Sequence, residues 1–291
     1  MTTTVGGAEA PPPQLRPTKL PSLMTASLRV FDVSLGEMLW SRRTVFLGLI
    51  VGGPVLIAII LRVVDMMNLP AMKVNGMRVG GSAIFGLMMW FLFLRFIVPI
   101  LGIFYGTSLI ADEVEDKTIT YLFTRPISRS AVLIGKYLAY LASTVLIVLP
   151  SVMLVYFLVV PVGGASIAAT FPNLLRDLLL LAVGLAVYGA LFAAVGAWVK
   201  RPVLIGLFFA FGWENFALAL PGYLKRFTIA FYTQGLVPHT MPQENLLSML
   251  QSFFRESVGP VQAVVTLAAV AAVSLGLAAR AVERREYVLE Q

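Results

Sequence analysis

Six long blocks of apolar residues run along this chain, separated by shorter polar stretches. They are Thr44–Leu61, Ala83–Ile110, Val132–Val160, Leu178–Val199, Val203–Leu220 and Val261–Ala279. Each approaches or exceeds the length, about 20 residues, that carries a helix across about 30 Å of hydrocarbon. None shows the strict apolar–polar alternation of a transmembrane strand, so a β-barrel is not supported. The pattern predicts an all-α integral membrane protein with six transmembrane helices in a domain over residues 44–279.

The intervening stretches have patterns of their own. Residues 1–21 are polar, contain the run Pro11-Pro12-Pro13, and read as a flexible tail. Residues 22–43 carry Met24, Leu28, Phe31, Leu35, Met38 and Leu39 at steps of three and four, opposite Arg29, Asp32, Glu37 and Ser41. That stripe predicts an N-terminal interfacial amphipathic helix; the plainer alternative is that the first span continues into water. In the outer loop, 221–260, Leu246, Leu247, Leu250, Phe253 and Phe254 form a second stripe, predicting a short external helix. Residues 280–291 form a polar tail. Small residues recur four apart at Gly48 and Gly52, at Gly102 and Gly106, and at Gly189, Ala193 and Ala197, where helices can approach closely.

Composition narrows the class. With 58% hydrophobic and 13% charged residues and a mean hydropathy of +0.87, the chain lacks the charge that a water-facing surface needs. Zero cysteines exclude disulfides and thiolate chemistry, and the single histidine, His239, excludes paired-His metal sites. The net charge of +7 reads as loop charge that sets topology rather than as a nucleic-acid footprint. About twice as many basic residues fall on the side shared by the termini as on the other, which predicts both termini in the cytoplasm.

The most informative polar stretch is 112–130. Four carboxylates (Asp112, Glu113, Glu115, Asp116) are followed by Lys117 and Thr118, then by an apolar face of Ile119, Leu122 and Phe123, then by Arg125, Pro126, Ser128 and Arg129. The apolar residues are spaced for one face of a short helix, which Pro126 ends. Two readings fit: a stiff elbow that docks on a soluble protein, or a solvated turn. Within the blocks, Arg95 and Glu214 stand deepest. Leaving either unpaired in lipid costs about 2.5–3.5 kcal/mol, so direct pairing or a shared wet cavity is expected. The alternative is that Arg95 caps backbone carbonyls near Pro99 or snorkels outward while Glu214 stays protonated.

Residues 110–136, IADEVEDKTITYLFTRPISRSAVLIGK, resemble the cytoplasmic loop of ABC transporter permeases of the ABC-2 type. The matching positions are Glu113, Glu115, Thr118, Leu122, Pro126, Ser128, Arg129, Gly135 and Lys136. The likeness is greatest to permeases without a fused ATPase, such as those of gliding-motility and nitrous-oxide-reductase maturation systems. It implies an ABC-2 type permease fold in the cytoplasmic (inner) membrane, partnered by a separate ABC ATPase subunit and by a second permease copy or paralogue. It also implies that 112–130 is the coupling segment, with Glu113, Glu115, Thr118, Ile119, Leu122, Phe123, Arg125, Pro126 and Arg129 meeting the ATPase. ATP and Mg would sit on that partner, and no cofactor on this chain, which carries no GxxxxGK[ST] phosphate loop. Two other classes stay open: an ATP-independent secondary transporter, and a metal-dependent lipid-modifying enzyme using Asp112, Glu113, Glu115 and Asp116 as oxygen ligands.

Overall fold

The structure, a computed structural model, describes residues 23–67, 80–110, 129–220, 222–237 and 258–284, together with two short strands. Among these residues six helices are long and apolar enough to cross a membrane. We number the helices α1 (Leu23–Leu39), α2 (Arg42–Met66), α3 (Gly81–Ile110), α4 (Arg129–Val159), α5 (Ile167–Trp198), α6 (Pro202–Ala219), α7 (Ile229–Gly235) and α8 (Pro260–Arg284). The strands β1 (Lys73–Val74) and β2 (Met77–Arg78) pair antiparallel between α2 and α3. In sequence they flank Asn75-Gly76, a strong hairpin signal.

The helices at the sites of the six blocks differ from them mainly in length. The largest difference is at α5, which starts eleven residues before the apolar run. Pro172, Arg176 and Asp177 break the hydrophobic pattern there, yet the helix continues through them and Asp177 is fully buried. At the other extreme α6 stops at Ala219, because Leu220 takes an extended conformation (φ −87°, ψ 138°), as a residue before proline prefers.

The core of the bundle is α3, α4 and α5. Glycine lets α3 and α5 touch: a methyl on Gly102 would lie 2.8 Å from Tyr188 Cβ, and one on Gly106 2.9 Å from the Gly189 carbonyl. Helix α4 is stapled to α5 by two tyrosines. Tyr137 donates to the Ala186 carbonyl at 2.8 Å and Tyr140 to the Leu185 carbonyl at 2.9 Å, with the Tyr140 ring seated against Gly189. In α2, Pro54 loosens the backbone ladder one turn back, and Ser151 of α4 donates to the Val51 carbonyl at 3.2 Å.

Helix α1 packs lengthwise on the first half of α4. Its buried side is made of small residues, Ala26, Ser27 and Ser34, whereas Met24 and Leu28 of the apolar stripe stay exposed. The closest approach is at Gly135, where a methyl would lie 2.6 Å from the Ser27 carbonyl and 2.7 Å from Val30 Cβ. The stripe is thus split: Met24 and Leu28 face outward, while Phe31, Leu35, Met38 and Leu39 are half-buried and Met38 packs against the core. The corner into α2 is tied by Ser41 and Thr44, whose hydroxyls both donate to the Met38 carbonyl.

Candidate functional site in the membrane bundle

Two long helices carry π-helical stretches, with wider turns than the α-helix. They are Met89–Ile97 and Gly102–Gly106 in α3, and Phe208–Trp213 in α6. Such turns are often found at functional positions. Those at Met89–Ile97 and Phe208–Trp213 adjoin, with the Phe96 and Phe211 rings edge to face at 5.9 Å. Arg95 lies in the first of them, and Glu214 and Asn215 directly follow the second.

The buried polar cluster is built there. Glu214 is only 2% exposed, and its carboxylate accepts three hydrogen bonds. Tyr188 of α5 donates to Oε2 at 2.5 Å, while the backbone amides of Ile229 and Ala230 donate to Oε1 at 2.9 and 3.3 Å. Those are the first two amides of α7. The third, Phe231, donates to the N-cap hydroxyl of Thr228 at 3.3 Å. All three opening amides of α7 are thus satisfied, two of them by a side chain from another helix. A carboxylate also complements the positive end of a helix.

Arg95 of α3, half-buried, adds a second contact beside this carboxylate on the exposed side of α6. Its guanidinium donates to Asn215 Oδ1, and Asn215 Nδ2 donates onward to the Phe211 carbonyl at 2.6 Å, within the wide turn of α6. Among the described residues Arg95 and Glu214 form no ion pair with each other. Sequence neighbours on α6 hold them in one region instead, Asn215 taking the cation and Glu214 binding Tyr188 and α7. The arrangement pairs the Tyr188 hydroxyl with the Glu214 carboxylate and the Arg95 guanidinium with the Asn215 amide. It acts as a clasp that joins α3, α5, α6 and α7.

Of the cluster, the sequence singled out only Arg95 and Glu214. Tyr188, Asn215 and α7 were missed, although Thr228 followed by an apolar run is an N-cap signal. Glu113, Glu115, Thr118, Ile119, Leu122, Phe123, Arg125 and Pro126 lie outside the described residues, as do Asp112, Asp116 and the stripe Leu246–Phe254. Arg129 is described: it opens α4, and its guanidinium reaches the Val282 carbonyl in the last turn of α8 at 3.4 Å. The groups of carboxylate and histidine side chains that could hold a metal ion number none among the described residues.

The bundle thus combines six helices long and apolar enough to cross a membrane with a few polar contacts between them. The chain matches the ABC-2 family transporter protein family over residues 92–287, about two thirds of its length, and it belongs to that family. None of the curated proteins matches it.

Proposed function

We propose that this chain is the permease subunit of an ABC transporter, in which a separate ATPase subunit docks on residues 112–130 and drives export through a pair of permeases. The family match over 92–287 carries this reading, because it includes both the whole of that segment and most of the bundle around it. The packing supports it mechanically. The segment joins the end of α3 to the start of α4, and both helices are locked to α5, one by glycine contacts and the other by tyrosine hydrogen bonds. Close-packed interiors transmit displacement rather than absorb it, so a push at the elbow moves the core helices together.

The test is replacement of Leu122 and Phe123 by aspartate in the full-length chain. In sequence these are the apolar residues of the proposed docking segment, so two charges in their place should abolish co-purification of the ATPase while the permease still inserts. Purification of the ATPase in unchanged yield would place docking elsewhere. ATP hydrolysis by the permease alone would overturn the division of labour.

A further inference from the structure

The turn that follows α6 shows an unusual face. Gly222, at φ 107°, lets the chain leave the helix end, and Tyr223–Phe227 then form a single 3₁₀ turn. Tyr223 is 72% exposed and Phe227 73%, with Leu224 also exposed between them. Arg226 points outward too, its guanidinium stacked over the Tyr223 ring at 4.8 Å. Lys225 alone turns inward, its Nζ 5.6 Å from the centre of the Phe231 ring. Directly afterwards the chain dives into the bundle as α7, whose first five residues are buried.

Three large apolar side chains bared on one turn are costly in water. They follow in sequence on α6, where Phe208 and Phe216 are also exposed on a helix that reads as membrane-spanning. A tyrosine with an arginine on its face, at the end of such a helix, has the composition of a membrane interface. Tyrosine rings are enriched at headgroup level, where an adjacent guanidinium can reach phosphate.

We propose that Tyr223–Phe227 is a lipid anchor, with Leu224 and Phe227 in the acyl boundary and Arg226 bound to the phosphate of an anionic phospholipid. The proposal rests on α6 as a membrane span and is independent of ATPase coupling. It has a structural consequence: the anchor fixes the depth of α7, and through α7 that of the Glu214 carboxylate.

The absence of cysteine makes the test direct. The full chain carrying Phe227→Cys is labelled with an environment-sensitive fluorophore and reconstituted in phosphatidylcholine vesicles, with or without phosphatidylglycerol. Spin-labelled lipids with the label near the headgroup should quench it strongly, and aqueous iodide weakly. Stronger quenching by iodide would put the turn in water, and quenching by neither would mean that protein covers it; each result overturns the anchor. Adding phosphatidylglycerol should raise lipid quenching about twofold or more, and Arg226→Gln should remove that response. An equal response in both proteins, or none in either, overturns the phosphate contact. A label at Phe208→Cys should be quenched by mid-chain spin labels in every case, and its failure would instead reject α6 as a span.

Discussion

Glu214 of α6 accepts a 2.5 Å hydrogen bond from the Tyr188 hydroxyl of α5 and caps α7 with its other oxygen. One side chain thereby fastens a short buried helix to two long helices of the bundle. Helix α7 has seven residues, too few to be stable on its own. Its persistence depends on burial and on having its first amides satisfied.

Loosening the clasp should therefore free α7. Tyr188→Phe removes one hydrogen bond to the carboxylate, a loss of about 1.5–3 kcal/mol if the group is charged. Glu214→Leu should cost more, since two buried amides also lose their acceptor. A reporter Thr233→Cys, buried in α7, should react with a thiol reagent about tenfold faster or more in either background. Unchanged labelling would show that apolar packing alone holds the helix.

A second test separates the two charges of the cluster. The guanidinium of Arg95 is bonded to Asn215 and not to Glu214, so the coupling should follow the bond. In a double-mutant cycle, Arg95→Leu with Asn215→Leu should show an interaction energy of about 0.5–3 kcal/mol in thermal unfolding. The cycle of Arg95→Leu with Glu214→Leu should show less. The reverse order would mean that the charges act on each other more strongly than Arg95 acts on its hydrogen-bond partner.

These contacts mark where sequence reading reached and where it stopped. The spans were legible because hydrocarbon imposes one requirement over some twenty consecutive residues. The start of α5 was not, since Pro172, Arg176 and Asp177 look like a loop until the neighbours that bury Asp177 are known. Arg95 and Glu214 stood out as charges in apolar runs, but Tyr188 and Asn215 are unremarkable until their partners are placed. The π-helical turns leave no periodicity that distinguishes them from α-helix. Spacing of small residues was informative only in part: Gly102 and Gly106 meet α5, whereas Gly48 and Gly52, equally spaced, have open space around them.

That contrast is itself testable. Gly102→Ala and Gly135→Ala place a methyl within 3 Å of a neighbouring helix and should each destabilise by about 1–3 kcal/mol through overpacking. Gly48→Ala meets nothing within 4 Å, and should be neutral or stabilising, since alanine favours a helix interior by about 1 kcal/mol over glycine. Thermal unfolding of the purified chain in detergent measures all three. An equal drop for Gly48→Ala would mean that α2 is packed against something beyond this chain.

The last prediction concerns Arg129, which the family resemblance assigns to the ATPase contact. Its guanidinium also donates to the Val282 carbonyl of the neighbouring α8, in the turn where a helix has unsatisfied acceptors and a negative dipole end. A cation there stabilises the helix terminus by about 0.3–1 kcal/mol. Arg129→Gln should consequently speed hydrogen exchange in the last turn of α8 by a few-fold, while the ATPase still co-purifies. The opposite pattern, ATPase lost and exchange unchanged, would return Arg129 to the docking surface. The expected pattern would instead make it the residue through which α8 follows the start of α4 when the adjoining segment moves.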